Sequence, residues 1–323
     1  MANKKKIADT ILDDAQKAPA HQTRIRDLEL QVERLECSLA HARKTRPVTP
    51  KQVKGKAAKG SYVRVFCPDT HGHSIDPAAA AAFLKDLKLL RPRKLYLLGD
   101  HLDCSGFLSQ HFTLGHLSEL EHTYEDDVAS CNDFLDRVQA AIDPQCSIIY
   151  LEGNHEARIE KWIINAVLRN GQDGAFLRRL MGPEAVLHLD KRNIRYISKG
   201  KFYDGCKIQG TIKDGSLYIT HGTRHGRGAA QSMLQRFGAN VVFGHIHRLM
   251  SASSRTVDGG EIHAWSCGCL SLQQPTYMHC DPSEFVHGFG VQIVRGRSYL
   301  HVNVPITDGV SSLSGLERFL HAD

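Results

Sequence analysis

Two kinds of hydrophobic pattern divide the chain near residue 60. Before that point, apolar residues recur in steps of three and four within a Pro-free stretch, the a/d spacing of a coiled coil, at Ile25, Leu28, Val32, Leu35, Leu39 and Ala42. The repeat lasts less than three heptads. It therefore predicts either a short coiled coil that pairs two copies of the chain or an amphipathic helix that packs on the rest of the protein.

The residues that follow the repeat have a different composition. Residues 43–60 contain seven Lys/Arg, no Asp or Glu, two prolines and two glycines. This composition predicts a flexible cationic linker.

From Ser61 onward, short apolar runs alternate with stretches of helical periodicity. The runs are YVRVFC, KLYLLG, SIIYLEG, SLYITHG and VVFGH, and the helical stretches are 78–90 and Leu117 to Ile142. Towards the C-terminus, SRTVDGGEIHAWSCG and the pair FGVQIVRG and SYLHVNVPI predict antiparallel hairpins with Asp-Gly and Gly-Arg turns. This alternation favours an α/β fold with mixed sheets. We therefore expect a helical, basic segment over 1–60 and an α/β domain over 61–323.

Charge changes the picture only for the first segment. The net charge is +6, and residues 1–60 hold 14 Lys/Arg against 7 Asp/Glu, which leaves 27 against 28 for the rest. A basic arm on a neutral domain is typical of a tether for DNA, RNA or another acidic partner, although solubility alone explains it equally well.

Cysteine usage and hydropathy indicate a compartment. The nine cysteines form no CxxC pair, and several lie inside apolar runs, so we interpret them as free thiols in a reducing environment. No apolar run approaches the length of a membrane span, and the opening MANKKK is followed by polar residues. These features predict a cytoplasmic protein without a membrane partner.

Residue types that bind metals follow five of the predicted strands. Strand ends in α/β sheets are where sites assemble, because a rigid strand fixes the direction of the next side chain. Glycines at 99, 153, 222 and 244 would let the backbone turn tightly beside these residues. The five clusters are Asp69 and His71; Asp100 and Asp103; Asn154, His155 and Glu156; His221; and His245 and His247.

The ligand types indicate the kind of site. Imidazole, carboxylate and amide donors without thiolate suit manganese, iron or zinc better than a structural Cys-rich zinc site. Seven ligands are too many for one ion and suit two ions that share a carboxylate. Two ions about 4 Å apart can bind both non-bridging oxygens of a phosphate and generate a hydroxide at neutral pH, which is the chemistry of phosphoester hydrolysis.

The ordered motifs D-x-H, GD-x-x-D, GNHE, H and GH-x-H resemble those of the calcineurin-like metallophosphoesterases, over residues 61 to about 250. The resemblance implies a four-layer αββα sandwich of mixed sheets and two divalent metal ions, Mn²⁺ first, with iron, zinc or Mg²⁺ as alternatives. It also implies the following roles: Asp69, His71 and His247 on the first ion; Asn154, His221 and His245 on the second; Asp100 bridging them; His155 as general acid; and Asp103 orienting it.

The overall layout also resembles phosphoesterases encoded by bacteriophages and prophages, which would place the protein in a host cytoplasm. This likeness rests on the long insert after GNHE and on a C-terminal GCL...Y...GFG stretch.

One departure from the family bears on the substrate. The Ser/Thr protein phosphatases follow GD-x-x-D with Arg-Gly, whereas here Asp103 precedes Cys104-Ser105. Without that guanidinium a terminal phosphate loses a bidentate partner, unless Arg158, Arg224 or Arg227 contacts the phosphate instead. With the basic arm, this favours a phosphodiesterase or nuclease that binds DNA or RNA through residues 43–60. The alternatives are a phosphomonoesterase for nucleotides or phosphoproteins, and a catalytically weak scaffold.

Overall fold

The structure, a computed structural model, describes four stretches of the chain. The coiled-coil and linker predictions lie outside them except for Gly60, as does the start of the predicted helix at Leu117. The described residues are 60–108, 122–170, 173–275 and 282–315.

Strands and helices alternate along the first two thirds of the described chain. The strands are β1 (Ser61–Cys67), β2 (Lys94–Leu97), β3 (Ser147–Leu151), β4 (Ile194–Ile197), β5 (Thr211–Asp214), β6 (Leu217–Thr220), β7 (Asn240–Phe243), β8 (Leu249–Arg255), β9 (Glu261–Cys267), β10 (Gly288–Arg295), β11 (Ser298–Thr307) and β12 (Val310–Ser311). The helices are α1 (Pro77–Leu90), α2 (Tyr124–Ala141), α3 (Glu156–Asn170), α4 (Gly174–Met181), α5 (Pro183–Val186) and α6 (Ala229–Phe237).

Both sheets are mixed. The seven-stranded sheet has the order β12-β11-β10-β1-β2-β3-β4, in which β1 to β4 are parallel and β10 is antiparallel to β1. The five-stranded sheet has the order β5-β6-β7-β9-β8, with β6, β7 and β9 parallel. The mixed sheets expected from the sequence are confirmed.

The alternation of side chains along the central strands builds the layers. In β1, Val65 contributes to a core shared with α1 and α2, whereas Phe66 contributes to a second core between the two sheets. In β2, Leu95 and Tyr96 divide in the same way, as expected for a period of two. A third core joins α6 to the five-stranded sheet. The order helices, sheet, sheet, helix is the predicted four-layer sandwich.

Local sequence sets the starts of the two large helices. The Asp76 side chain accepts a hydrogen bond of 2.8 Å from Ala79 N, and Pro77 occupies the first turn of α1. Thr123 and Asp126 form a reciprocal capping box at the start of α2. Both helices are therefore fixed where they pack on the larger sheet.

The predicted strands and hairpins are found, and other elements are additions to the prediction. All five apolar runs form strands, and β8 pairs with β9 and β10 with β11 as antiparallel hairpins. The short strands β4 and β5 carry weak patterns and were not predicted. Within the described residues, no helix combines the length and apolar character that crossing a membrane requires.

Candidate metal centre

The seven predicted ligands follow the carboxyl ends of five strands. Each leaves its strand within a few residues, and all except the half-buried Asn154 and His245 are buried. The structure brings all seven side chains together in two adjoining groups. In chain order they follow β1 (Asp69, His71), β2 (Asp100), β3 (Asn154), β6 (His221) and β7 (His245, His247).

The first group consists of Asp69, His71 and His247, whose candidate ligand atoms all lie within 4.8 Å of one another. Nε2 of His71 is 3.0 Å from Nε2 of His247, and the latter nitrogen is 3.4 Å from Oδ1 of Asp69. Two imidazole nitrogens and a carboxylate oxygen therefore converge on one point.

The second group surrounds Nε2 of His221. This nitrogen is 2.9 Å from Oδ1 of Asn154, 3.2 Å from Oδ2 of Asp100 and 3.2 Å from Nδ1 of His245. Asp100 lies closest to this group, and the charges of both His221 and His71 act on its carboxylate.

The hydrogen bonds of two histidines fix which nitrogen faces each group. Nδ1 of His221 donates to the Leu98 carbonyl oxygen at 2.9 Å, and Nδ1 of His71 donates to Asp103 Oδ1 at 2.7 Å. In a neutral imidazole the other nitrogen, Nε2, then carries a lone pair. In both groups this lone pair faces further nitrogen and oxygen atoms that can bind a cation, and without a cation only a proton on one of the ring nitrogens separates them. The donor set fits two divalent metal ions.

The electrostatics of these residues agree with this fit, because the buried carboxylates favour positive charge beside them. Burial lowers the pKa of His221, but the charge and hydrogen bond of Asp100 outweigh burial and raise the pKa to about 9. Burial raises the pKa of Asp69, but His247 and His221 lower it to about 2. Burial and the charge of His221 lower the pKa of His245 to about 3, so that ring is neutral, as a metal ligand must be.

Backbone strain is concentrated at the same positions. Four of the seven residues have φ in the left-handed region, with values of 54° at His71, 52° at Asp100, 73° at His245 and 54° at His247. Left-handed backbone is uncommon for residues other than glycine and collects at functional sites. The surrounding sheets hold these residues in conformations that they would not adopt by themselves.

Two glycines allow the loops to approach each other. A Cβ atom at Gly153 would lie 2.0 Å from Oδ1 of Asp100, and one at Gly244 would lie 2.5 Å from Oδ2 of Asp69. No side chain fits at either position without displacing a predicted ligand. These glycines serve close approach rather than the tight turn that the sequence predicts.

His155 and Asp103, the predicted acid and its orienting carboxylate, are in contact. Nδ1 of His155 is 2.9 Å from Oδ1 of Asp103, whose other oxygen accepts from the Ser105 hydroxyl at 2.7 Å. Burial lowers the pKa of His155, but Asp100 and Asp103 outweigh burial and raise the pKa, while Arg158 opposes them. The environment therefore favours the charged imidazole that a general acid requires.

The three arginines predicted to contact phosphate differ in their surroundings. Arg158 is buried, and its guanidinium lies 3.1 Å from the Asp103 carbonyl oxygen and 3.0 Å from Nε2 of His155. Arg227 forms an ion pair of 2.9 Å with Glu284. Arg224 is exposed. Only Arg158 contacts a predicted catalytic residue.

The role of Glu156 was not predicted from the sequence. Its buried carboxylate accepts hydrogen bonds from the backbone N–H groups of Asp100, His101, Leu102 and Gly153 at 2.7–3.1 Å, and from a tyrosine hydroxyl. Glu156 therefore holds the loop after β2 against the loop after β3. Its place beside Asn154 and His155 was the available signal, but residue type alone does not separate a ligand from a loop anchor.

Two further groups of polar residues adjoin the centre. His225 was not among the predicted site residues, and its Nε2 lies 3.2 Å from Nε2 of His245. Asp103, His73 and Asp127 are close enough together to hold a cation. However, Asp127 already accepts from Nδ1 of His73 at 2.6 Å and from Ser105 N at 2.7 Å, so this group is satisfied as a hydrogen-bonded support.

Comparisons with known proteins add distant structural likenesses. No family model and no curated protein matches the chain. A single mutant of Vps29 from Entamoeba histolytica is 13% identical, over 77% of this chain and 96% of that chain, with a TM-score of 0.37. YfcE, a phosphoesterase from E. coli, is 13% identical over 75% and 98%, with a TM-score of 0.33. A hypothetical protein from Pyrococcus horikoshii is 10% identical over 80% and 93%, with a TM-score of 0.40. At these identities and TM-scores the likenesses are too distant to assign a function to this chain. The description of its fold and candidate site depends on its own strands, helices and side-chain distances.

Proposed function

We propose that this chain is a phosphoester hydrolase that depends on two divalent metal ions. The observation that carries the proposal is the convergence of imidazole lone pairs and carboxylate oxygens, from five strand ends, on two adjoining points. The residues that would hold the ions are Asp69, His71 and His247 for one, Asn154, His221 and His245 for the other, and Asp100 between them.

Bound divalent ions supply Lewis acidity, which neutralises phosphate charge and makes water a stronger acid. The chain supplies the proton for the departing alcohol. In this role His155 carries that proton on Nε2, while its Nδ1–H bonds to Asp103 and keeps the ring aimed at the centre. Arg158 lies 3.0 Å from the same Nε2, so a proton on this nitrogen requires the guanidinium to shift away from it.

The arginine contacts support a diester substrate over a monoester. A terminal phosphate carries two charges and suits a bidentate guanidinium. Cys104 and Ser105 follow Asp103 where the protein phosphatases have that guanidinium, Arg158 bonds to the loop and Arg227 to Glu284. We therefore propose that the protein is a phosphodiesterase, and that it acts as a nuclease where the diester belongs to DNA or RNA.

A comparison of two chromogenic substrates tests both claims, metal-dependent hydrolysis of phosphoesters and preference for a diester. With added Mn²⁺, bis(p-nitrophenyl) phosphate should be hydrolysed with a higher kcat/KM than p-nitrophenyl phosphate, and chelation should abolish both activities. Preference for the monoester would support the phosphomonoesterase alternative. If the metal-loaded protein hydrolyses neither ester, the hydrolase proposal is wrong and the scaffold alternative remains.

A further inference from the structure

A cavity of about 330 Å³ lies next to the metal centre and has no part in the chemistry described above. His221 belongs to its wall, together with the loop after β4 and residues of α6. A group that occupies this cavity therefore contacts a residue that is proposed to hold the second ion. A single ligand can therefore place one group in this cavity and a phosphate, a few bonds away, at the second ion.

The wall of this cavity is cationic. Lys199, Lys207 and Arg236 line it, and none of them forms an ion pair within the described part of the chain. The one carboxylate in the wall belongs to Glu152, which is buried and accepts a hydrogen bond of 2.5 Å from Lys199 N. Three cations against one carboxylate give a net positive surface, which suits an anionic group on the ligand.

Two aromatic rings adjoin the same cations. Phe202 is 63% exposed, unusual for so large an apolar side chain, and it lines the cavity between Lys199 and Lys207 in sequence. Phe237, from the end of α6, lines the cavity as well, and its ring packs on Tyr218 at 5.4 Å. An exposed ring beside unpaired cations matches a ligand that carries both a flat ring and a phosphate.

We propose that this cavity is a nucleotide subsite, in which Phe202 stacks on a base and Lys207 and Arg236 bind a second phosphate next to the ester that is cleaved. This inference rests on the proposed function and narrows its substrate class to nucleotides with a phosphate beyond the scissile one. The volume is near the lower limit of ligand pockets, about 300 Å³, and so accommodates one nucleotide unit rather than a duplex.

Three diesters with the same leaving group test the subsite one element at a time. They are methyl p-nitrophenyl phosphate, thymidine 5′-(p-nitrophenyl phosphate) and its 3′-phosphorylated form, assayed with Mn²⁺ at fixed ionic strength. The nucleoside should raise kcat/KM by about tenfold, within the range of base stacking on an aromatic ring. The 3′-phosphate should raise it by a further factor of about five, through charge-assisted hydrogen bonds to the cations.

Variants separate the two contributions. The double variant Lys207→Ala/Arg236→Ala should lose the gain from the 3′-phosphate and keep the gain from the nucleoside, and Phe202→Leu should show the reverse. Arg295→Ala/Arg297→Ala removes two exposed cations from the hairpin at the opposite end of the larger sheet and should keep both gains.

The outcomes distinguish failure of the subsite from failure of the proposed function. Equal kcat/KM for the three diesters, within about twofold, would overturn the subsite while leaving the hydrolase intact. Gains that persist unchanged in the variants would overturn it as well. If the metal-loaded protein hydrolyses none of the three diesters, the proposed function itself is wrong and the subsite proposal falls with it.

Discussion

Two polar clusters lie between the sheets, at opposite ends of the strands. One is the candidate metal centre at the carboxyl ends. The other, here called the basal cluster, comprises Arg64, Lys94, Tyr96, Asp214 and Gln292 near the amino ends of β2 and β6. Both are largely buried and rich in charge. They differ in whether donors and acceptors match.

In the basal cluster each charge has a partner of opposite sign. The Asp214 carboxylate meets Lys94 Nζ and an Arg64 nitrogen, each at 2.9 Å, and accepts from the Tyr96 hydroxyl at 2.6 Å. None of these residues has a left-handed backbone. In the candidate metal centre several ring nitrogens and carboxylate oxygens lie 2.9–3.4 Å apart without a cation of the protein between them, and the backbone is strained at four predicted ligands. Burial and charge are therefore common to both clusters, whereas convergent ring nitrogens and strained backbone distinguish the candidate metal centre.

The largest expected effect shows whether His155 acts as a proton donor or as a metal ligand. Replacing His155 with Ala should lower kcat by about 10²–10⁴ on a diester with an alcohol leaving group, such as a dinucleotide, because the departing alkoxide loses its proton donor. The loss should be smaller on bis(p-nitrophenyl) phosphate, because nitrophenolate is a good leaving group and needs the proton less. Metal content, measured by elemental analysis of dialysed protein, should stay at the wild-type value. A parallel loss of metal would mean that His155 is a ligand. The variant His301→Gln, at a half-buried histidine outside the centre, is the control and should keep wild-type kcat.

The next effect belongs to the basal cluster. Replacing Asp214 with Asn should destabilise the fold by about 3 kcal/mol, because it leaves the buried Arg64 without its charged partner. For a domain of this size that corresponds to a fall in melting temperature of roughly 5–10 °C. The metal content should not change. A variant that folds normally but binds less metal would remove the distinction between the two clusters.

The smallest effect concerns how the loss of stability in the Asp214→Asn variant depends on pH. Burial raises the pKa of Asp214, but the hydrogen bonds and charges of Tyr96, Lys94 and Arg64 hold it below its ordinary value. A carboxylate with a lowered pKa stabilises the fold above its unfolded pKa, and the contribution disappears as the pH falls through the folded value. The difference in unfolding free energy between wild type and Asp214→Asn should therefore shrink below about pH 4. A difference that stays constant down to pH 2 would show that the charge of Asp214 does not act.

The sequence predicted the central strands and the candidate ligands because both depend on short stretches. Runs such as KLYLLG show which residues are buried on both faces of a sheet, and the residue after each run lies at the edge where the strands end. Asp69 and His247 follow strands of different sheets, so their proximity depends on how the two sheets pack, and the sequence indicated it only through the ordered motifs.

What the sequence did not reveal depends on distant contacts. Glu156 has the residue type of a ligand, and only the positions of four backbone N–H groups from two loops show that it is an anchor. The cationic cavity joins Lys199 and Arg236, which lie on different elements and share no motif. The short strand β5 contains only four residues and is recognised by its pairing with β6.

The number of metal ions bound per chain tests the central claim most directly. Wild-type protein equilibrated with Mn²⁺ should bind two ions, and the Asp100→Ala variant should bind fewer and lose hydrolysis of bis(p-nitrophenyl) phosphate, because Asp100 is proposed to hold both ions. Asp214→Asn, which removes an equally charged carboxylate from the basal cluster, should still bind two. A wild-type chain that binds no ion, or an Asp100→Ala variant that keeps two ions and near-normal turnover, would contradict the account.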